Sequence, residues 1–176
     1  LGVNARMLSF SQDTDSLWLI EKSDNLHRLY RYSDNKNMRQ LVMESPEPVI
    51  LQDQTKDGEL LLLKRNNRLE IFNTITAEST AVSVSTQDVR AGNFSRTGDY
   101  VFFSERVKDQ WLVKRYSLAD KTQRLLLQDY MYIQDIADGY VAADSSGNVW
   151  RLNNAYHRTD LLYQGVVYDL DYQLVV

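Results

Sequence analysis

Phe94-Ser95-Arg96-Thr97-Gly98-Asp99-Tyr100-Val101-Phe102-Phe103-Ser104 lies inside a stretch, Arg90 to Leu125, that repeats earlier in the chain. Set against Arg6 to Leu41, it aligns without a gap. Nine of 36 positions are identical: Arg6/Arg90, Phe10/Phe94, Ser11/Ser95, Asp15/Asp99, Glu21/Glu105, Arg31/Arg115, Tyr32/Tyr116, Ser33/Ser117 and Leu41/Leu125. About two would coincide by chance at ordinary residue frequencies. Self-similarity at a fixed period is the signature of a repeat architecture. The step from Arg6 to Arg90 is 84 residues, two units of 42, so a worn copy is expected between the two good ones.

The copy is there: Val49-Ile50-Leu51, Asp57-Gly58, Glu59-Leu60-Leu61-Leu62-Leu63, Asn66-Asn67, Leu69-Glu70-Ile71-Phe72. A fourth runs through Tyr132-Ile133, Asp138-Gly139, Tyr140-Val141-Ala142-Ala143, Ser146-Gly147 and Val149-Trp150-Arg151-Leu152. A fifth opens at Val166-Val167-Tyr168 and breaks off at Val176. Each unit reads as a short strand, a turn of Asp, Gly and Ser, a strongly apolar strand, a second turn, an alternating strand, and a weaker polar strand. Leu17-Trp18-Leu19-Ile20 is apolar on both faces and so suits burial on both. Leu29-Tyr30-Arg31-Tyr32 alternates with period 2, as a half-buried antiparallel strand does. Residues 33 to 48 offer the best helix candidate, but they lack i, i+3, i+4 apolar spacing, and Pro46 and Pro48 close the stretch.

The expected fold is therefore all-β: a β-propeller of four-stranded antiparallel blades, about four blades and a partial fifth, with approximate limits 3–43, 44–84, 85–128, 129–163 and 164–176. The regular spacing favours this over a sandwich. The 176 residues form one propeller domain or a fragment of one. Leu1 is not Met and Val175-Val176 is apolar, so both ends read as cuts in a longer protein. The unpaired edge at Val166 to Val176 would then recruit either the missing blades or a second copy of the chain.

Composition narrows the function. A formal net charge of -4, with scattered Lys and Arg, gives no phosphate-tracking surface. The absence of cysteine removes disulfides, thiolate catalysis and cysteine-bound zinc. No run approaches 18 apolar residues, the length that spans a bilayer; Leu60-Leu61-Leu62-Leu63 is too short even for a signal-peptide core.

The motif Phe94 to Ser104 resembles the PD40 repeat, the WD40-like blade of TolB-type propellers. That repeat reads Phe-Ser-Pro-Asp-Gly-Lys before an apolar strand, and ends a later strand in a Tyr-x-Leu-x-x-Gly-like turn, which Tyr116-Ser117-Leu118-Ala119-Asp120-Lys121-Thr122 resembles. Phe10-Ser11-Gln12-Asp13-Thr14-Asp15 is a worn version. The chain departs from the family in lacking the turn proline and, in the first unit, the glycine. Such blades occur in periplasmic proteins of Gram-negative bacteria. One setting the resemblance implies is the periplasmic sensory region of membrane-anchored transcription regulators similar to CadC and ToxR, whose DNA-binding domain lies elsewhere in the parent protein. Two others are the noncatalytic propeller of prolyl-oligopeptidase-like peptidases and a TolB-like periplasmic assembly factor. The resemblance thus implies a protein partner or small signal in the cell envelope, no nucleic-acid contact by these residues, and an inner-membrane parent.

Catalytic signatures are thin, and no enzyme, cofactor or metal is expected. His27 and His157 fall in different units and are expected at exposed strand or turn positions. There is no Gly-x-Ser-x-Gly elbow and no His-Glu-x-x-His or His-x-His pair. Asp13, Asp15, Asp57, Asp99, Asp138 and Asp144 lie near turns, where Asp bonds to nearby amides. Asp15 and Asp99 occupy equivalent places and are expected to brace the first blade turn. Asp144-Ser145-Ser146-Gly147-Asn148 lacks the later ligands of a calcium loop. Asn93-Phe94-Ser95 is a formal glycosylation sequon, but Phe94 reads as buried. Tyr32, Phe72 and Tyr116 are equivalent and read as packing between blades. Tyr130, Tyr132, Tyr156, Tyr163, Tyr168 and Tyr172 crowd the last third of the chain and are the expected exposed aromatic interaction surface. Arg31, Arg115 and Arg151 recur in the third strand and read as solvated, with adjacent aromatics within stacking reach.

Overall fold

A computed structural model describes residues 5–10, 16–33, 38–83 and 88–165. Every element among them is a strand, and no helix there is long and apolar enough to cross a membrane. The first sheet is β1 (Ala5–Phe10), β2 (Ser16–Ser23), β3 (Leu26–Ser33) and β4 (Met38–Ser45). The second is β5 (Val49–Gln54), β6 (Leu60–Arg65), β7 (Arg68–Asn73) and β8 (Ser79–Ala81). The third is β9 (Val89–Phe94), β10 (Tyr100–Val107), β11 (Gln110–Ser117) and β12 (Gln123–Gln128). The fourth is β13 (Tyr130–Ile136), β14 (Gly139–Asp144), β15 (Asn148–Leu152) and β16 (Arg158–Gln164). Each is an antiparallel meander in chain order, the layout of a propeller blade. The helix candidate at 33–48 contains β4 instead. The fifth unit, from Val166 on, lies outside the described residues.

The sequence alignment of the first and third units carries through to the strands. β9, β10 and β11 begin and end at the positions that the alignment pairs with the ends of β1, β2 and β3. Registers correspond as well: Leu17 faces Tyr32 as Val101 faces Tyr116, and Trp18 faces Arg31 as Phe102 faces Arg115. Turn chemistry fixes register at the β2–β3 and β6–β7 hairpins. The two-residue turns Asp24-Asn25 and Asn66-Asn67 have positive φ at both residues, which a type I′ hairpin requires and Asn tolerates.

The chain divides into two compact units, Leu1–Val84 and Ser85–Val176. In the first, Trp18, Ile20 and Leu29 of one sheet share a cluster with Val49, Leu51, Leu61, Leu63 and Phe72 of the next. In the second, Phe102 and Val113 share a cluster with Tyr130, Ile133, Ala142 and Leu152. The second strand of each sheet is buried on both faces, as its apolar run requires: Leu61, Leu62 and Leu63 are each 0% exposed. The fourth strand is the exposed one, and every residue of β16 faces solvent. Phe72 and Tyr116 are buried, and Tyr32 is half-buried.

Candidate binding site on the fourth sheet

Four of the six tyrosines of the expected interaction surface, Tyr130, Tyr132, Tyr156 and Tyr163, fall on the fourth sheet and its connections, but they do not form one exposed surface. Tyr130 and Tyr132 are buried, each about 6% exposed. The reason is a register shift between them: Tyr130 faces Asp144, whereas Tyr132 faces Ala143. Met131 is therefore a bulge residue, and the bulge sends the two tyrosines to opposite faces. Tyr130 joins the cluster shared with the third sheet, and Tyr132 joins Val141, Ala143 and Val149. Each hydroxyl accepts from an arginine: Arg158 Nε to Tyr130 at 2.5 Å, and Arg90 Nε to Tyr132 at 2.7 Å. Tyr156 is half-buried, Tyr163 is exposed, and Tyr168 and Tyr172 lie outside the described residues. The expected exposed surface is thus reduced, among the described residues, to Tyr163 and part of Tyr156.

Asp144 accepts four hydrogen bonds within its own hairpin. It is buried, yet its Oδ1 accepts the Ser146 and Asn148 amides, each at 3.0 Å, and its Oδ2 accepts Asn148 Nδ2 at 3.1 Å and the Trp150 indole at 2.9 Å. Arg158 approaches the same oxygen at 3.5 Å and stacks over Trp150 at 4.2 Å. Burial pushes the carboxyl up, but the hydrogen bonds from Trp150, Asn148 and Ser146 outweigh it and hold the group below the usual carboxylate range. The carboxylate closes the turn from Asp144 to Asn148. Among the described residues no three His, Asp or Glu side chains are grouped to hold a metal.

A second cluster lies where the third and fourth sheets meet. Asp135 Oδ2 accepts the Arg96 amide at 2.9 Å, and its Oδ1 is buried without a partner among the described residues. Burial, opposed by the Arg96 amide, pushes the Asp135 carboxyl up. Tyr140, opposite Asp135 in register, stacks on Tyr156 at 4.7 Å and meets the edge of Phe102 at 5.8 Å. Burial first, then the hydrogen bond with Tyr156, pushes the Tyr140 hydroxyl up to about 12. Tyr156 holds φ of 62°, an uncommon conformation for a bulky side chain. Asp135 stands where the third unit has Phe94, since Asp135 faces Tyr140 as Phe94 faces Val101. Sequence reading did not single out Asp135; a polar residue at a register position that is apolar in the third unit was the available signal.

The first-turn brace is a hydroxyl. Ser95 Oγ accepts the Tyr100 amide at 3.1 Å, while the Ser95 carbonyl accepts the Gly98 amide at 2.8 Å. Thr55 repeats both bonds, to Leu60 at 3.0 Å and Gly58 at 2.8 Å. Asp99 is exposed, and its part is played by its backbone carbonyl, which accepts the Leu118 amide at 3.0 Å. Asp15 lies outside the described residues. Hydroxyl residues three positions before a turn glycine, Thr55/Gly58 and Ser95/Gly98, were the available signal.

His27 is buried at 7% exposed, in contrast to the exposed position expected of it. The alternation that buries Leu29 carries His27 to the same face. His157 is exposed, as expected. Phe94 is buried. Arg115 lies 4.3 Å over Tyr100 and Arg31 lies 5.6 Å from the Trp18 ring, whereas Arg151 pairs with Asp138 at 2.6 Å. Sequence reading also passed over Glu105, a buried carboxylate ion-paired with Lys114.

No family model and no curated protein matches the chain. Solved structures do. A putative TolB from Agrobacterium tumefaciens superposes with a TM-score of 0.70 at 11% identity, over 92% of this chain and 67% of that one. The chain is similar in fold to TolB-type β-propellers. TolB from Acinetobacter baumannii gives 0.63 at 11% identity, over 85% of this chain and 43% of that one. Dipeptidyl peptidase 4 from Porphyromonas gingivalis gives 0.66 at 11% identity, over 92% and 33%. The chain thus spans between a third and two thirds of these TolB-like and peptidase proteins.

Proposed function

We propose that the chain is a non-catalytic propeller that senses a signal or binds a protein partner, the periplasmic part of a membrane-anchored bacterial transcription regulator. The observation that carries the non-catalytic half is the employment of the polar residues. Ser95 and Thr55 close first turns, Asp144 closes a hairpin, and Arg90 and Arg158 cap buried tyrosines. Each is spent on holding a sheet together, and fold similarity to TolB supports a periplasmic setting. The half-buried face at Asp135, Tyr140 and Tyr156 is the candidate contact for a signal, since a buried carboxylate oxygen there lacks a partner among the described residues. Fold similarity to a dipeptidyl peptidase supports a second reading, the propeller of a larger peptidase.

The coding sequence on either side discriminates the two. A helix-turn-helix followed by one apolar helix upstream supports the regulator, and a downstream Gly-x-Ser-x-Gly supports the peptidase. The purified chain should turn over nothing in a broad hydrolase screen; reproducible turnover that copurifies with it overturns the non-catalytic reading.

A further inference from the structure

Three outer strands break register at the same place. Leu29 faces Met43 and Tyr30 faces Leu41, leaving Val42 as the extra residue. Val113 faces Leu127 and Lys114 faces Leu125, leaving Leu126. Val149 faces Tyr163 and Trp150 faces Leu161, leaving Leu162. The bulge triplets read Leu41-Val42-Met43, Leu125-Leu126-Leu127 and Leu161-Leu162-Tyr163. A bulge at a fixed register position in three units is a built feature of the repeat.

The first leucine of each triplet is exposed, at 46%, 44% and 49%. The other two residues differ between units. Val42 and Met43 pack against the cluster that the first sheet shares with the second. Leu126 and Leu127 pack against the cluster that the third shares with the fourth. Leu162 and Tyr163 are 49% and 55% exposed. In two units this pair is where the following sheet seats; in the fourth sheet the same pair faces solvent.

We propose that Leu162 and Tyr163 are the docking face for the opening strand of a fifth unit, and that this strand is supplied by residues 166–176 of the same chain. The connection fits. Three residues separate β4 from β5 and one separates β12 from β13; one residue, Gly165, separates β16 from Val166. The composition fits as well. Val49, Leu51, Tyr130 and Ile133 are the first-strand residues that join the two precedent clusters, and Val166-Val167-Tyr168-Asp169-Leu170 offers the same mix of branched and aromatic side chains.

Amide hydrogen exchange on the whole chain tests this. Amides within 166–176 should exchange at least about tenfold more slowly than an unstructured chain. Leu162→Asp with Tyr163→Asp should abolish that protection. Leu125→Asp, at an exposed position of another bulge, should leave it intact. Protection of 100–117 reports that the sheets remain folded, and the milder Leu162→Ser with Tyr163→Ser serves if the aspartates unfold the unit. Unprotected amides at 166–176 in the wild type overturn the proposal, as does protection that survives the paired substitutions. Protection that rises with chain concentration assigns the face to a second copy and overturns it too.

Discussion

Removing the Asp144 carboxylate should be among the most damaging single changes in the second unit. The group accepts four hydrogen bonds from within its hairpin while buried. Ser146 is exposed, so its amide regains water when the acceptor goes. The Trp150 indole and the Asn148 amide, on partly buried residues, regain less. A hydrogen bond to a charged group is worth about 1.5–3 kcal/mol, and two such losses, discounted for partial rehydration, give about 3 kcal/mol for Asp144→Ala. Asp144→Asn keeps one acceptor oxygen and the turn geometry, and should cost roughly half as much. Urea unfolding followed by tryptophan fluorescence measures both; with an m-value of about 1–3 kcal/mol/M, the alanine variant should unfold at least about 1 M earlier. In a Trp150→Phe background the cost of Asp144→Ala should fall, because the indole donor is already gone. The sign with pH is fixed. Hydrogen bonds hold this carboxyl below its ordinary range, so its contribution is full at neutral pH and is lost as pH falls through that range toward the lower folded value. An alanine variant within about 0.5 kcal/mol of wild type, the scatter of ordinary surface changes, would refute the reasoning, as would an asparagine variant equally damaged.

Asp135 has the opposite sign. Burial raises its folded-state carboxyl, so its charge costs stability increasingly as pH rises past the unfolded value. Asp135→Asn, which can still accept from Arg96, should unfold at higher urea than wild type at pH 7, with the difference vanishing near pH 3; equal midpoints at pH 7 would contradict this. Gly139 has φ of +141°, and a Cβ there would lie 2.2 Å from the Leu152 carbonyl oxygen. Gly139→Ala should therefore cost more than about 2 kcal/mol, read as a thermal midpoint lowered by several degrees. Lys114→Met leaves the buried Glu105 unpaired and should cost about 3–5 kcal/mol, whereas the double change with Glu105→Leu should recover most of it. A double variant no more stable than Lys114→Met would show that the ion pair is not the cause.

The fold was legible because strand period and repeat period act through different residues and agree. The apolar run Leu60-Leu61-Leu62-Leu63 reported burial on both faces, at Leu61 to Leu63; Leu29-Tyr30-Arg31-Tyr32 reported a half-buried strand, although the one buried residue, Leu29, shares its parity with Arg31. The site was less legible, for a geometric reason. Tyr130 and Tyr132 share a parity in sequence, and only the bulge at Met131 parts them; a bulge adds one residue without a marker in composition. His27 misled in the other direction, since residue type pointed to solvent while parity with Leu29 pointed inward. At the first turn, attention to the acidic side chains Asp15 and Asp99 hid the hydroxyl of Ser95.

The correspondence of β1, β2 and β3 with β9, β10 and β11 sets where the chain can be divided. Each compact unit contains two sheets and the whole of the cluster between them, Trp18 to Phe72 in one and Phe102 to Leu152 in the other. Removing a single sheet would split such a cluster and bare half of it, whereas removing both sheets of a unit would take one cluster out whole. The smallest portion that keeps its own interior is a pair of sheets, so loss of sheets from this chain is cheapest a pair at a time.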